Sequence, residues 1–147
     1  MTEKATAEEN VQRVGIQKGS ESILLVDDEE MITEIVKKLL EALGYTVLLA
    51  RSGIEAIETY KTSWETIDIV MLDMIMPGMS GSETFNRLKA INPDMKVVLS
   101  SGYSMNGQAE EILNRGCNGF IQKPIKIAEL SQKLREILDD QRGGGGK

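Results

Sequence analysis

The sequence predicts an α/β domain in which a five-stranded parallel β-sheet is covered by helices on both faces. Two observations support this prediction. Along the chain, the apolar residues switch repeatedly between continuous, strand-like runs and helical spacing. The chain has 147 residues, which fits one domain with a substantial core. Because crossovers between parallel strands are right-handed, the arrangement narrows to a doubly wound fold.

The first two strand–helix units follow from short apolar runs and the residues that bound them. Residues 23–26 predict the first strand, and the acids at 27–30 suit the positive first turn of a helix. This helix ends at Gly44, and residues 45–50 predict the second strand. Ser52 can cap the second helix, which extends to about residue 61. The positions assigned to the apolar stripes are Met31, Ile32, Ile35, Val36, Leu39, Leu40 and Leu43 in the first helix and Ile54, Ile57 and Tyr60 in the second.

The middle of the chain repeats this pattern. Residues 67–72 predict the third strand, with Asp68 inside the apolar pattern near its start. Residues 82–91 predict the third helix, which is stopped by an Asn-Pro-Asp sequence. Residues 96–101 predict a fourth strand that finishes on two hydroxyl side chains.

The sequence predicts the last three elements with unequal clarity. Residues 106–115 predict a weak fourth helix, because Gly107 interrupts it and few of its positions are apolar. Residues 119–122 predict a short fifth strand, and residues 127–138 predict an amphipathic last helix. The predicted organisation is a flexible arm or linker over 1–20, a folded domain over 21–140 and a flexible glycine-rich tail over 141–147.

Composition excludes several classes of function. The net charge of −6 argues against a nucleic-acid binder, so we expect no direct contact with nucleic acid. The single cysteine, Cys117, excludes an internal disulfide and fits a reducing compartment. No apolar run approaches the roughly 18 residues of a membrane span, and the first ten residues do not resemble a secretory signal. We therefore expect a cytoplasmic location without membrane insertion.

The chain contains no histidine. It therefore cannot build a Ser-His-Asp or Cys-His nucleophile system, or an imidazole metal site. Any chemistry must use carboxylates, hydroxyls, lysines or the backbone. Carboxylates without imidazole or thiolate clusters indicate a hard cation such as Mg²⁺.

Polar side chains follow four of the predicted strands, at the points where the strands end. They are Asp27 and Asp28, then Asp73, then Ser100 and Ser101, and finally Lys123. Because the carboxyl ends of parallel strands meet at one edge of a sheet, we expect these groups to converge there. Crowded acids repel one another, which a bound divalent cation relieves. Carboxylates, Mg²⁺, a lysine and a hydroxyl together suit phosphoryl transfer onto an aspartate.

Asp73 is the first candidate, because it is the lone acid at the end of an apolar run and the breakers Pro77, Gly78 and Gly81 follow it. Taken singly, the other residues have simpler interpretations. Helix capping would explain Asp27 and Asp28, turn formation Ser100 and Ser101, a solvated loop Lys123, and core packing Phe120, Cys117, Met71, Met74, Met76 and Met79. Their joint placement at strand ends favours a site.

From about Ile23 to Leu138 the chain resembles the receiver domain of two-component response regulators. The matching segments are Leu-Val-Asp27-Asp28-Glu, Asp73-Met-Ile-Met76-Pro77-Gly-Met-Ser-Gly81, Ser101-Gly102-Tyr103 and Gly119-Phe120-Ile-Gln-Lys123-Pro124. The resemblance implies a flavodoxin-like (βα)5 fold with strand order 2-1-3-4-5. Both a free-standing regulator and the receiver of a hybrid histidine kinase fit this resemblance.

The resemblance also implies roles for the acids and the lysine. Asp73 would be the phosphoacceptor. Asp28, Asp73 and the backbone carbonyl of Ile75 would ligate Mg²⁺ directly, and Asp27 would act mostly through water. Lys123 would pair with the phosphoryl oxygens. Ile75 is apolar at a position that influences the access of water, so the lifetime of the aspartyl phosphate stays open.

Two further residues would form the switch. Ser101 falls at the family's hydroxyl position, where threonine is common, and Phe120 at its aromatic position. Phosphorylation would draw Ser101 inward and let Phe120 turn, which would change the face made by the fourth helix, fifth strand and last helix. That face could also form a phosphorylation-dependent dimer. The Lys123–Pro124 bond would be cis, as in the family.

Because the chain lacks histidine, a histidine kinase or a histidine phosphotransfer domain must supply the phosphoryl group. Three other functions fit the sequence less well. An aspartyl-nucleophile phosphatase needs an acid two residues after its nucleophile, and Ile75 stands there. A flavin-binding protein needs a Ser/Thr-rich phosphate loop, which does not follow Val26. A purely scaffolding receiver is disfavoured by the intact acids and Lys123.

Overall fold

The computed structural model of the protein describes residues 16–102 and 107–140. The strands are β1 (Ser22–Val26), β2 (Thr46–Ala50), β3 (Ile69–Asp73), β4 (Val97–Ser101) and β5 (Gly119–Gln122). The helices that alternate with them are α1 (Glu30–Ala42), α2 (Gly53–Ser63), α3 (Gly81–Ile91), α4 (Gly107–Asn114) and α5 (Ile127–Leu138). All strands are parallel and lie in the order β2-β1-β3-β4-β5, which confirms the predicted doubly wound fold.

The core has two parts, one on each face of the sheet. Successive strand side chains point to opposite faces, so Leu24 and Val26 join one part while Ile23 and Leu25 join the other. Helices α2, α3 and α4 cover the first face, and α1 and α5 cover the second. Strand β3 is buried along its whole length, which fits a central parallel strand covered on both faces. Because helices cover both faces of the sheet, side chains at the ends of the strands are the ones that can face solvent.

Three of the apolar positions assigned to helix stripes are exposed, and there the prediction was wrong. Met31 and Ile35 in α1 are 78% and 55% exposed, and Ile54 in α2 is 59% exposed. In α1 the buried positions are Val36 and Leu40, which were assigned to the stripe, and Thr33, which was not. Helical spacing defines an apolar arc, but the part of that arc that meets the sheet depends on how the helix packs.

Several local predictions at element ends are confirmed, and one needs correction. The Ser52 side chain accepts a hydrogen bond from the Glu55 N–H at 3.0 Å and so caps α2. The Lys123–Pro124 peptide bond is cis. Asp68, predicted inside the third strand, precedes β3, and its carboxylate accepts a hydrogen bond from the Ser22 N–H at 2.8 Å.

Residues 16–20, at the end of the predicted arm, contact the domain. Ile16 packs against the core between the sheet and helices α1 and α5. The Gln17 N–H donates to the Ser131 hydroxyl at 3.2 Å, and the Gly19 N–H donates to the Leu43 carbonyl at 3.0 Å. A side chain at Gly44, whose φ is +105°, would meet the Gly19 carbonyl oxygen at 2.2 Å. The rest of the predicted arm, the predicted tail at 141–147 and the first residue of the predicted fourth helix lie outside the described residues, so the predicted domain boundaries stay predictions.

Glu21, which follows this segment, forms a bidentate ion pair with Arg135 of α5. The Arg135 guanidinium donates to both carboxylate oxygens of Glu21, at 2.7 and 3.0 Å. It also donates to the Tyr45 hydroxyl at 3.3 Å and pairs with Asp139. The hydrogen bond from Arg135 is the main reason that the pKa of Glu21 falls to about 2. The chain ahead of β1 is therefore held to the last helix.

Candidate functional site

Three aspartates meet at the carboxyl edge of the sheet, as predicted from the strand ends. Asp27 follows β1 directly, and Asp73 is the last residue of β3. Carboxylate oxygens of Asp27, Asp28 and Asp73 all lie within 4.8 Å of one another. Asp27 and Asp73 are buried, at 3% and 4% exposure, and Asp28 is the most exposed of the three. Their proximity follows from the pairing of β1 with β3, which brings both strand ends to the same level.

Lys123, which follows β5, places its ammonium group among these acids. Its Nζ lies 2.8 Å from Asp27 Oδ2, 3.4 Å from Asp73 Oδ1 and 3.5 Å from Glu29 Oε1. The Lys123 N–H donates to the Ser101 carbonyl at 2.7 Å, which continues the pairing of β4 with β5 and fixes the lysine at the pocket.

The backbone around the acids is held by short-range hydrogen bonds. One Asp27 oxygen accepts from the Glu29 N–H at 3.0 Å, and one Asp73 oxygen accepts from the Ile75 N–H at 3.4 Å. After β3 the chain turns back, and the Gly81 N–H donates to the Met74 carbonyl at 3.1 Å. A side chain at Gly81 would lie 2.7 Å from the Met74 Cα and carbonyl oxygen. Glycine at this position therefore allows the loop to close beside Asp73.

Burial and crowding perturb the charges in the pocket. Burial, together with the charge of Asp27, raises the pKa of Asp73 to about 6, although Lys123 opposes this rise. Burial alone would lower the pKa of Lys123, but the hydrogen bond to Asp27 and the charges of Asp73 and Glu29 outweigh it and raise that pKa. Three carboxylates face one ammonium group, so the pocket attracts further positive charge.

An open pocket of about 620 Å³ gives solvent access to this edge. Its walls are Asp28, Glu29, Asp73, Ile75, Met76, Pro77, Gly102 and Lys123. Ile75 is 52% exposed, so its side chain lies at the mouth of the pocket beside Asp73. A small anionic group could therefore reach the Asp73 carboxylate and the Lys123 ammonium from solvent.

The two predicted switch residues lie in the neighbouring strands β4 and β5 and are not part of the pocket wall. Ser101 is the last residue of β4 and is buried at 1% exposure, while the next residue, Gly102, lines the pocket. Phe120, in β5, is partly buried and packs against the core under helices α2, α3 and α4. The neighbouring residue, Ser100, contacts strand β3, where its Oγ donates to the Leu72 carbonyl at 3.5 Å. Tyr103, part of the matching motif, lies outside the described residues.

Sequence reasoning missed several residues of the pocket wall, and Glu29 is the charged one among them. Glu29 was assigned only to the start of the first helix, yet its carboxylate contacts Lys123 and its side chain forms part of the pocket wall. Met76 and Pro77 also line the pocket, although the sequence suggested packing and turn roles for them. The run of four acids at 27–30 carried the available signal, since a helix N-terminus does not require so many.

The fold and site together define a class of protein: a doubly wound α/β domain whose carboxyl edge holds three carboxylates and one lysine. Residues 23–135 match the response regulator receiver domain family. The chain belongs to this family and is a receiver domain of two-component signalling. Phosphorylation of an aspartate with Mg²⁺ is typical of the family, whose members interact with histidine kinases or phosphotransfer proteins.

Similar proteins include both a kinase and solved receiver structures. The sensor kinase CckA of Brucella abortus is 33% identical over 137 residues, which are 93% of this chain and 14% of that kinase. A receiver domain structure from Clostridium thermocellum has a TM-score of 0.79 and 30% identity, and it covers 83% of this chain and 97% of that chain. The receiver domain of the sensor histidine kinase PA1611 from Pseudomonas aeruginosa has a TM-score of 0.75 and 25% identity, with 83% and 100% coverage. That structure has a magnesium ion coordinated in its active-site cleft.

The chain spans 14%, 31% and 27% of the length of the first three curated relatives that it matches. Among the helices within residues 16–102 and 107–140, none has the length and apolar character needed to cross a bilayer.

Proposed function

We propose that this receiver domain accepts a phosphoryl group on Asp73 from the phosphohistidine of a histidine kinase or a histidine phosphotransfer domain. The observation that supports this most is the placement of the Asp73 carboxylate: it is buried beside two other carboxylates, lies 3.4 Å from the Lys123 ammonium and faces an open pocket. Asp27 shares the burial, the neighbouring acids and the lysine, but of these two aspartates only Asp73 is part of the wall of the open pocket.

The donor set at the pocket fits Mg²⁺. Carboxylate oxygens of Asp27, Asp28 and Asp73 converge, and Ile75, whose backbone carbonyl would be a further ligand, lines the same pocket, so every candidate ligand is a hard oxygen. When bound, the ion would supply positive charge that offsets the crowded carboxylates and the phosphoryl oxygens. These four residues are the ones that would hold it.

The chain's own residues then perform the transfer. An Asp73 carboxylate oxygen attacks the phosphorus, the phosphorus–nitrogen bond breaks, and its electron pair leaves with the imidazole of the donor. Lys123 pairs with the oxygens of the incoming phosphoryl group, which keeps them oriented toward Asp73. The receiver thus catalyses its own modification, and the other product is the dephosphorylated histidine of the donor.

The signal is transmitted through Ser101 and Phe120 in our proposal. A phosphoryl group on Asp73 carries about two negative charges and accepts a hydrogen bond from the Ser101 hydroxyl, which draws the end of β4 toward the pocket. Phe120 then turns into the space that is left. The face formed by α4, β5 and α5 changes as a result, and this face is the surface for a partner or a second copy of the chain.

The test uses a small phosphodonor, acetyl phosphate, and beryllofluoride, each with and without Mg²⁺. With acetyl phosphate we expect the parent to gain the mass of one phosphoryl group only when Mg²⁺ is present, and Asp73→Asn to gain none. Beryllofluoride transfers no phosphoryl group, and we expect it to form an adduct with the parent but not with Asp73→Asn. Asp94→Asn, which changes an exposed acid of the same charge, is the matched control and should react like the parent. An adduct of equal yield on Asp73→Asn would overturn the assignment of the phosphoacceptor.

A further inference from the structure

Lys123 has one carboxylate partner that is not part of the three-aspartate cluster. Asp27 and Asp73 hold its ammonium from the buried side, and their side chains are only 4% and 5% exposed. The third partner, Glu29, has a side chain that is 61% exposed and reaches the same ammonium at 3.5 Å from the solvent side. The Lys123 side chain itself is 13% exposed, so these three carboxylates form most of the polar surroundings that the structure shows for it.

A divalent cation and this ammonium compete for the same oxygens. Asp73, which would bind the metal directly, and Asp27, which would act mostly through water, are also the partners of Lys123 in the absence of metal. A cation bound there repels the ammonium, and a largely buried ammonium that loses its carboxylates is destabilised. Binding of Mg²⁺ is therefore easier if Lys123 keeps a carboxylate that the metal does not use.

Glu29 meets this requirement. Its carboxylate lies outside the cluster of Asp27, Asp28 and Asp73, and its side chain forms part of the pocket wall. Because the side chain is exposed, it can follow the ammonium outward at little cost in packing. The backbone of Glu29 is meanwhile fixed, since its N–H donates to the Asp27 carboxylate at 3.0 Å.

We infer that Glu29 is a positioning residue that receives the Lys123 ammonium when Mg²⁺ occupies Asp27, Asp28 and Asp73. Glu29 lowers the cost of metal binding and keeps the ammonium at the mouth of the pocket, where phosphoryl oxygens arrive. This inference rests on the proposed metal site, but it assigns to Glu29 a role that the three acids and the lysine do not include.

Glu30 provides a matched control because it is the next residue and carries the same charge. Its side chain is 65% exposed and lies 3.8 Å from Arg51, away from the pocket wall. Glu29→Gln and Glu30→Gln therefore remove equal charge at nearly equal exposure. Only the first removes a partner of Lys123.

The experiment is a calorimetric titration with Mg²⁺ at low ionic strength on the parent, Glu29→Gln and Glu30→Gln, each also in a Lys123→Met background. We expect Glu29→Gln to weaken Mg²⁺ binding about three-fold, the size typical of a partly exposed ion pair, and Glu30→Gln to have a much smaller effect. Lys123→Met should bind Mg²⁺ more tightly than the parent. In that background Glu29→Gln should lose its excess effect over Glu30→Gln.

A spectroscopic signal adds a readout that a purely structural role would not move. The NMR resonance of the Lys123 Cε should shift on addition of Mg²⁺ in the parent, and Glu29→Gln should change the metal-bound position more than the metal-free one. Two results would overturn the inference: equal weakening by both glutamine variants, or a Glu29→Gln effect that persists in Lys123→Met, which would mean direct attraction of the metal. Failure of the metal site itself is distinguishable, because Asp73→Asn would then leave Mg²⁺ affinity unchanged.

Discussion

Replacement of Asp73 by asparagine should make the metal-free protein more stable, although it removes the proposed phosphoacceptor. In the parent, the ionised Asp73 carboxylate is buried beside Asp27 and Asp28. Asparagine fills nearly the same space without the charge. Lys123 keeps its hydrogen bond to Asp27 at 2.8 Å in the variant, so the substitution does not leave a buried ammonium group unpaired.

The magnitude follows from the raised pKa of Asp73. Burial and the charge of Asp27 raise this pKa from 3.8 to about 6, which corresponds to about 3 kcal/mol in the free energy of unfolding above pH 6. Because the pocket is open to solvent, screening reduces the expected gain to about 1–2 kcal/mol. For a domain of this size that is a rise of about 3–8 °C in the melting temperature.

The raised pKa of Asp73 also determines how the stability difference between the parent and Asp73→Asn changes with pH. A carboxyl group whose pKa is raised by folding ionises more readily in the unfolded chain, so the parent loses stability as the pH rises from 3.8 to about 6. The asparagine variant does not have this loss. The difference between the two should therefore be small near pH 4, grow through this window and stay constant above pH 6.

The assay is thermal unfolding followed by circular dichroism in buffers that contain a chelator, repeated with excess Mg²⁺. Mg²⁺ should raise the melting temperature of the parent and narrow the gap, since it offsets the same repulsion. Asp94→Asn, an exposed change of equal charge, should leave the melting temperature nearly unchanged. An equal or lower melting temperature of Asp73→Asn without metal would refute the argument that the three acids destabilise one another.

Two further substitutions test features away from the acids. Glu21→Gln should destabilise the protein by about 1 kcal/mol at neutral pH, because Arg135 stabilises the Glu21 carboxylate. Folding lowers the pKa of Glu21 from 4.5 to about 2, so this difference should vanish as the pH falls through that window; an equal difference at pH 7 and at pH 2 in chemical denaturation would contradict the reasoning. Gly81→Ala should cost about 2 kcal/mol or more and weaken Mg²⁺ binding, because its Cβ would lie 2.7 Å from the Met74 backbone. Gly107→Ala, in α4 with nothing within 4 Å of the added carbon, should be neutral or stabilising, and a similar loss in both variants would show that the close approach at Gly81 is unimportant.

The sequence was most informative where chain order alone dictates position. Parallel strands bring their carboxyl ends to one edge, so Asp27, Asp73 and Lys123 could be grouped without any knowledge of side-chain packing. The strand order and the alternation with helices followed from apolar periodicity together with the family resemblance. Hydrogen bonds between residues close together in the sequence were equally predictable, as the Ser52 cap of α2 illustrates.

The sequence was less informative about which side of each helix packs against the sheet, and about contacts between side chains that are far apart in the sequence. Met31 and Ile54 fit helical stripes in the sequence yet are exposed, because the sheet contacts a narrower arc of each helix than the apolar residues cover. Glu29 meets Lys123 across 94 positions of sequence, and nothing local to the acid run indicates which of its members reaches the lysine. Such contacts depend on side-chain reach within the assembled pocket.

Residues 16–21 contact α5 at a place separate from the acid pocket. The chain enters β1 at the opposite end of the strand from Asp27, and there Glu21 is bound to Arg135 while Gln17 is bound to Ser131. A displacement of the backbone near Ile16 would therefore reach α5 through the Gln17–Ser131 and Glu21–Arg135 contacts. The proposed switch would act on the same helix from the other end of the sheet.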